Sequence, residues 1–257
     1  MTEPIILAAA CTHIGRIRSR NEDAVLVDAS LGLVAVADGL GGRNAGDVAS
    51  RLAIDTLSRA LSKAALQSEW ALKEAVAQAN AHVYALSSRI PSYAGMGTTL
   101  VAGWVISSSK LGPQLVVAHV GDSRLYRYRA QPSPSLECLT RDHSSAQQLI
   151  DQGFCTPAEA RQLPQRHILT NALGIEPHID IDLLTTALLQ DDLLLLCSDG
   201  LSNMLDDTDI AALLDRTSVS TDSDLDALAQ RLVDAANDRG GHDNISVVLA
   251  TPTKISV

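Results

Sequence analysis

The amino-acid sequence predicts an α+β fold in which antiparallel sheets and helices form separate layers. Eight short apolar runs have the length and composition of β-strands, at about 5–11, 24–28, 32–37, 98–106, 115–120, 125–129, 193–198 and 245–250. Strands follow strands and helices follow helices, an order that favours layered sheets over a doubly wound parallel sheet. The short loops that join 98–106, 115–120 and 125–129 predict antiparallel hairpins.

Helices are predicted where apolar residues recur every three to four positions. This spacing covers 48–64, 70–88 and 225–236, and Gly240 and Gly241 would end the last helix. Shorter helices are expected at about 144–152, 157–163 and 207–215.

The segment 139–177 is more polar than its surroundings and is interrupted by Pro157 and Pro164. It is therefore interpreted as a flap inserted over one end of the sheets. No long linker separates it from the rest of the chain, so we expect a single catalytic domain over 1–257 with a flap subdomain at about 139–177.

Composition excludes several classes of protein. Hydrophobic residues make up 46% of the chain and charged residues 19%, which is too apolar for a disordered protein. Lys and Arg number 20 against 30 Asp and Glu, a net charge of −10 that argues against binding nucleic acid or an anionic membrane surface. No run approaches the roughly 18 apolar residues of a membrane span, and no secretory signal is evident, so the expected location is the cytoplasm.

Aspartates stand where apolar runs begin or end. Asp38 comes just past the apolar run in LVAVADG, and Asp199 just past the run in LLLLCSDG. Asp122 follows VVAHVG, while Asp243 precedes the run at 245–250. In an antiparallel sheet the start of one strand lies beside the end of its neighbour, so all four are expected to converge on one edge.

Clustered carboxylates suggest a cation, because acids at the rim of an apolar core are costly unless something pairs them. Arg124 is the only basic residue near them in sequence. Oxygen ligands suit Mg²⁺ or Mn²⁺, and the backbone at Gly39 could add a carbonyl ligand. Zinc is disfavoured because there is no H-E-x-x-H pattern and the four cysteines have no metal-site spacing. The alternative is that each Asp-Gly is simply a turn.

Three arginines precede Glu22 and Asp23 in the segment GRIRSRNED. Arg16, Arg18 and Arg20 alternate, so on an extended segment they would share a face. One guanidinium aimed into an acidic metal site would hold phosphate oxygens in bidentate fashion. A solvated basic edge is the alternative and suits Arg16 and Arg20 better.

Seven segments in order resemble the PPM family, the metal-dependent type-2C serine/threonine protein phosphatases, in their compact bacterial form. They are GRIRSRNED (15–23), VADGLGGRNAGDVAS (36–50), GMGTTL (95–100), HVGDSRLY (119–126), LTRDHS (139–144), LLCSDGL (195–201) and GGHDNISVV (240–248). The resemblance spans about residues 8–250. It implies a four-layer α/β/β/α sandwich, with two antiparallel sheets flanked by helix pairs, and a flap near the metals.

The resemblance also implies roles for individual residues. Arg18 matches the phosphate-binding arginine, and Asp38 matches the aspartate that bridges two metal ions. The remaining matches are metal ligands or their supports: Gly39 through its carbonyl, Asp199 and Asp243 directly, Asp122 at a more weakly bound third ion, and Glu22 and Asp23 as acids that hold metal-bound waters or support the ligands.

The activity implied is hydrolysis of phosphoserine and phosphothreonine on proteins by a metal-activated water, with Mn²⁺ or Mg²⁺ as cofactor. The bound ions would offset the net negative charge at the site. A monomer that opposes a serine/threonine kinase is expected, with phosphorylated proteins as its partners.

The sequence departs from the family pattern at two positions. His13 stands where the family usually has Asp, which could change metal affinity. Leu40 stands where animal members carry a histidine that was proposed as a general acid, so His143 and His167 become candidates for that role. Three alternatives stay open: a pseudophosphatase that acts as a binding module, a regulatory phosphatase for a single switch protein, and a metallohydrolase for nucleotides or small phosphate esters.

Overall fold

Two antiparallel sheets lie face to face in the computed structural model, which describes residues 5–40, 45–108, 112–215, 219 and 221–253. Residues 41–44, part of the segment matched at 36–50, lie outside the described residues. The five-stranded sheet has the order β1–β11–β10–β7–β8. Its strands are β1 (Ile6–His13), β7 (Arg124–Arg129), β8 (Ser135–Cys138), β10 (Leu193–Cys197) and β11 (Ile245–Pro252).

The six-stranded sheet has the order β2–β3–β5–β6–β9, with β4 paired to the end of β3. Its strands are β2 (Asp23–Asp28), β3 (Leu33–Leu40), β4 (Gly97–Thr98), β5 (Leu100–Ser108), β6 (Gly112–Val120) and β9 (Asp182–Ala187). A core of aliphatic side chains fills the space between the two sheets. Val36, Val117, Leu125, Leu196 and Val248 belong to it, and the two sheets bury these side chains against each other.

Helix pairs cover the outer face of each sheet. Helices α1 (Gly46–Leu61) and α2 (Glu69–Arg89) bury their apolar sides against the six-stranded sheet. Helices α6 (Asp207–Asp215) and α7 (Asp222–Asp238) do the same on the five-stranded sheet. The sandwich therefore has the α/β/β/α layer order that the sequence predicted. Among the described residues, no helix is long and apolar enough to cross a membrane.

Local sequence explains where the helices begin and end. The Ser68 hydroxyl accepts a hydrogen bond from the Ala71 N–H at the start of α2. Thr221 and Asp224 form a reciprocal capping box at the start of α7. As predicted, α7 ends just before Gly240, whose φ of +126° stops the helix.

The segment 139–177 contains two short helices, α3 (Ser145–Asp151) and α4 (Pro157–Ala160). Its two ends come together at the base, where Ser144 bridges Leu169. A further bridge joins Leu173 to Thr98 of β4, next to the end of β3. The ends of the segment are thus attached to the same end of the sandwich as the aspartates.

Three local predictions were wrong. The strands at 115–120 and 125–129 form no hairpin: β6 pairs with β5 and β9, whereas β7 crosses to the other sheet and pairs with β10 and β8. Tyr126 and Tyr128 explain the crossing, because both pack under the α6–α7 layer and donate hydrogen bonds to Asp207 and Asp215 of α6.

The predicted strand at 98–106 is interrupted at Thr99, between β4 and β5. Strands β8 and β9 were not predicted at all. Both are edge strands with largely exposed side chains, so they lack the apolar run that marked the other strands.

Candidate metal centre

The four predicted aspartates meet where the ends of the two sheets face each other. Asp38 lies near the end of β3 and Asp122 follows β6, both in the six-stranded sheet. Asp199 follows β10 and begins the short helix α5 (Asp199–Ser202), and Asp243 precedes β11 in the other sheet. The prediction of one common edge was therefore wrong, since each sheet contributes two of the acids.

We call this region the acidic cleft. Its volume is about 510 Å³. Its walls include most of the predicted site residues: Arg18, Glu22, Asp38, Gly39, Asp122, Asp199 and Asp243.

The carboxyls of the acidic cleft destabilise one another's charged forms. Burial raises the pKa of Asp38 well above its usual value, and the neighbouring Asp23, Asp199, Asp122 and Asp243 raise it further. Burial and Asp243 likewise raise the pKa of Asp199, whose carboxyl is within hydrogen-bonding reach of the Asp38 carboxyl.

The oxygen atoms of the cleft fit a hard divalent cation. Buried Oδ1 of Asp199 and buried Oδ1 of Asp23 have no hydrogen-bond partner. Carboxylate oxygens that lack N–H or O–H donors are the donor set that Mg²⁺ and Mn²⁺ prefer. A cation at this position would remove the repulsion that raises these pKa values.

Asp23 lies beside Asp38, as its cross-strand partner in the β2–β3 pair. Burial raises the pKa of Asp23 to about 7, against the opposite effect of hydrogen bonds from Ser246 and Ser198. The Ser198 hydroxyl lies 2.8 Å from Oδ2 of Asp23. This serine precedes Asp199, so one strand end supplies both a candidate ligand and a support for a neighbouring acid.

Glu22 holds its place through the backbone. Its N–H donates to Oδ1 of Asn244 at 2.8 Å, and its carbonyl accepts from the Gly39 N–H at 3.2 Å. Gly39 has no room for a side chain: a Cβ there would come within 2.2 Å of the Gly46 carbonyl oxygen and 2.5 Å of the Glu22 carbonyl oxygen. The start of α1 can therefore press against the end of β3 only because residue 39 is glycine.

Arg18 reaches the acidic cleft, where Nη2 donates to Oδ2 of Asp243 at 2.7 Å. Burial lowers the pKa of Arg18, but Asp243, Asp38 and Glu22 outweigh that effect and raise it. The guanidinium is half exposed, so it is available to a ligand in the cleft.

The three arginines share no extended face, contrary to prediction. The chain turns at Gly15–Ile17, and the guanidinium of Arg16 bonds the Asn237 carbonyl at 2.7 Å and the Asp238 carboxylate. His13 supports this turn, since its Nδ1 accepts a hydrogen bond from the Gly15 N–H at 2.9 Å.

Sequence reasoning missed Asn244 and Thr99. The Asn244 side-chain amide donates to the carbonyls of Ile14 and Arg20 at 2.9 and 2.8 Å, so it ties the arginine segment to β11. The Thr99 hydroxyl accepts from the Asp38 N–H at 2.9 Å, and the Thr99 N–H donates to the Asp38 carbonyl at 2.9 Å. Both residues lie in segments that carried the family resemblance, and their polar side chains beside apolar runs were the available signal.

The flap contributes His167 to the acidic cleft. Its Nδ1 lies 3.8 Å from Oδ2 of Asp199, an oxygen that also accepts from Nδ2 of Asn203 at 3.0 Å. A second cavity of about 540 Å³ lies beneath the flap and shares His167, Asp122 and Asp199 with the cleft. Arg124 forms a bidentate pair with Asp142 at 2.8 and 2.7 Å.

Comparison with known proteins identifies the family. The model of the family described as protein phosphatase 2C matches residues 13–236. The chain belongs to the protein phosphatase 2C family. It is a serine/threonine protein phosphatase, and the fold and the resemblance predicted from its sequence are confirmed.

Relatives of this phosphatase cover nearly all of the chain. The serine/threonine phosphatase stp of Listeria welshimeri is 38% identical in an alignment of 248 positions that covers 93% of this chain and 92% of that protein. The crystal structure of the PPM Ser-Thr phosphatase MsPP from Mycobacterium smegmatis, in complex with cacodylate, is 41% identical with a TM-score of 0.82, and the match covers 96% of this chain and 98% of that one. The catalytic domain of the phosphatase PstP, in complex with two manganese ions, is 33% identical with a TM-score of 0.80 over 96% and 97% of the two chains.

Proposed function

We propose that this phosphatase hydrolyses phosphoserine and phosphothreonine on proteins with two Mn²⁺ or Mg²⁺ ions held in the acidic cleft, in opposition to a serine/threonine kinase. Asp38, Asp199, Asp243 and the carbonyl of Gly39 would hold the two ions, and Asp122 would hold a third, weaker one. The observation that carries the proposal is the convergence of four aspartates from two sheets: the pKa values of Asp38 and Asp199 are raised, and the buried Oδ1 of Asp199 has no hydrogen-bond partner. The two manganese ions in the structure of PstP support it.

Asp38, Asp199 and Asp243 would hold divalent cations that would supply positive charge to the phosphate oxygens and would lower the pKa of a bound water. The residues of the chain orient the substrate. Arg18 would bind phosphate oxygens in bidentate fashion, and its ion pair with Asp243 at the cleft wall supports this role. Thr99 and Asn244 hold the Asp38 backbone and the arginine segment in register, so the anion site is organised before substrate arrives.

Protein substrates are supported by the second cavity. Because it opens next to the acidic cleft beneath the flap, it offers space for the chain on one side of a phosphorylated residue. Its lining includes Arg161 and Arg166 as well as Asp206 and Asp207, so it presents both signs of charge to a peptide. A nucleotide or small ester would use only the acidic cleft.

The test is phosphate release from a phosphothreonine peptide by the metal-stripped protein, with and without added Mn²⁺. We expect Mn²⁺ to restore turnover in the wild type, and Asp38→Asn to lower it roughly a thousandfold. Asp191→Asn is the matched control, since Asp191 is an exposed aspartate in a turn outside the cleft. It should behave as the wild type.

The comparison needs evidence that the variant folds, which its thermal unfolding curve supplies. A folded wild type that shows no turnover with any divalent cation would overturn the proposal and favour a binding module. Faster turnover of nucleotides than of phosphothreonine peptides would instead favour a small-molecule hydrolase.

A further inference from the structure

His143, at the base of the flap, joins three parts of the chain. Its N–H donates to the Gly121 carbonyl at 2.7 Å, so the flap begins hydrogen-bonded to the turn that follows β6. Its carbonyl accepts from the Thr170 N–H at 2.9 Å, where the flap returns. Movement of this residue would therefore disturb both the flap and the turn.

The hydrogen bonds of the ring determine its tautomer. Nδ1 faces two N–H donors, the Gly121 backbone at 3.2 Å and the Asn171 side-chain amide at 3.2 Å. The same Asn171 nitrogen donates to the Asp180 carbonyl at 2.7 Å, which identifies it as the amide nitrogen. Nδ1 thus carries the lone pair, and the proton sits on Nε2, 3.0 Å from Oδ2 of Asp182.

This tautomer argues against a metal ion at the same place. His119, His143 and Asp182, which we call the histidine cluster, have potential ligand atoms within 4.8 Å of one another. His119 is only 2% exposed, and its ring nitrogens have no hydrogen-bond partner. A metal ion bound to Nε2 of His143 would force the proton onto Nδ1, where it would point at the Gly121 N–H. The geometry instead suits a carboxylate that orients a histidine.

Gly121, which directly precedes Asp122, is hydrogen-bonded to His143 on both sides. Its N–H donates to the His143 ring, and its carbonyl accepts from the His143 backbone N–H. Gly121 has a φ of +109°, and a Cβ there would lie 2.6 Å from Cγ2 of Thr99, the residue that bonds the Asp38 backbone. The turn therefore has little freedom once His143 is in place. Without the His143 ring, the Gly121 N–H loses its acceptor, and the direction of the Asp122 carboxylate is no longer fixed from this side.

We propose that His143, oriented by Asp182, is a positioning residue for Asp122 and sets the direction of that carboxylate into the acidic cleft. This inference rests on the proposed function, in which Asp122 holds the weaker cation. It assigns no proton transfer to His143, whose Nε2 proton is bound to Asp182 outside the cleft. Of the two general-acid candidates, only His167 lies at the cleft wall.

A double-mutant cycle tests the proposal through the Mn²⁺ concentration that gives half-maximal turnover of a phosphothreonine peptide. We expect His143→Leu to raise this concentration about tenfold, as expected for the loss of a group that orients a ligand. In the Asp122→Ala background the same change should have no further effect, because the carboxylate that it positions is gone. A purely structural role would lower turnover equally in both backgrounds and would overturn the proposal.

Hydrogen exchange at the Gly121 amide gives a readout that needs no metal. It should be faster in His143→Leu than in the wild type, and slow again in His143→Asn, whose side-chain oxygen can accept the Gly121 N–H. His178→Ala is the control, since His178 is an exposed histidine of the segment that follows the flap. Unchanged exchange of the Gly121 amide in His143→Leu would overturn the positioning role of His143. A wild type without metal-dependent turnover would overturn only the proposed function, and the exchange measurement would still test His143. Full activity of Asp122→Ala at low Mn²⁺ would also overturn the positioning role.

Discussion

The acidic cleft and the histidine cluster both gather side chains that commonly bind metals, but their surroundings differ. In the acidic cleft, buried oxygens of Asp23 and Asp199 have no donor, and neighbouring carboxyls repel one another. In the histidine cluster, N–H groups of Gly121 and Asn171 occupy one nitrogen of His143, and Asp182 occupies the other. The buried oxygens of the first region lack a hydrogen-bond partner, whereas both ring nitrogens of His143 have one.

The comparison shows that residue type alone does not define a metal site. Whether clustered side chains form a metal site depends on whether the surrounding backbone and side chains supply their hydrogen-bond partners. Donors nearby make a rigid support, and a lack of donors makes an electrostatic demand that a divalent cation meets.

The largest expected difference between the acidic cleft and the histidine cluster is in how far Mn²⁺ stabilises the folded protein. At about 1,000 times its dissociation constant, Mn²⁺ should raise the free energy of unfolding of the wild type by about 4 kcal/mol. Asp199→Asn should lose most of this gain. Asp182→Asn, which acts only through His143 on the weaker site at Asp122, should retain most of it. Thermal or urea unfolding with and without Mn²⁺ measures both. Equal loss in the two variants would remove the distinction between the regions.

A smaller effect should appear when the pH of the metal-free protein is varied. The pKa of Asp23 is about 7 in the fold, above its value in an unfolded chain, so the folded state binds this proton more tightly. Stability from this group is present at low pH and is lost as the pH rises from about 4 through about 7, and Asp38 and Asp199 act in the same direction. We expect a loss on the order of 2 kcal/mol between pH 5 and pH 7.

Urea unfolding in a chelator across this pH range measures that loss, and Asp23→Asn is the comparison that should flatten the curve. Saturating Mn²⁺ should also weaken the dependence, because the cation competes with protons for the carboxylates. Stability that rises with pH in the metal-free wild type would contradict the electrostatic account of the acidic cleft.

The smallest expected effect concerns His119. Burial and the neighbouring His143 lower the pKa of His119 to about 4, so the ring is neutral where it lies against the ring of His143. Because its nitrogens make no hydrogen bond, His119→Leu should change the free energy of unfolding by less than about 1 kcal/mol, and it should leave the Mn²⁺ dependence of turnover unaltered. A large loss of metal-dependent activity in this variant would revive the histidine cluster as a metal site.

Prediction from sequence succeeded where one strand or helix carries its own signal. The central strands β3, β10 and β11 are buried on both faces, so their apolar runs were unambiguous. The edge strands β8 and β9 were missed because pairing, and not composition, makes them strands. The crossing of β7 to the other sheet was missed because a short loop gives no indication of which sheet its next strand will join.

The same limit applies to the site. Asp38, Asp122, Asp199 and Asp243 stood out because acids at the ends of apolar runs are unusual, and the structure brings all four together. Their roles as metal ligands stay predictions. The contacts of Asn244, Ser198 and His143 could not be inferred, since each joins segments far apart in the chain.

The sequence by itself determined the α+β class and the acids at the strand ends, because these depend on local patterns of apolar and polar residues, and its resemblance to a known family implied the layer order. Only the tertiary structure decided that two sheets each contribute two aspartates, that Arg18 faces the acidic cleft while Arg16 does not, and that His143 lies under Gly121. The physical reason is that hydrogen-bond satisfaction is a property of the assembled fold. A side chain becomes a ligand or a support according to the donors that distant segments place around it.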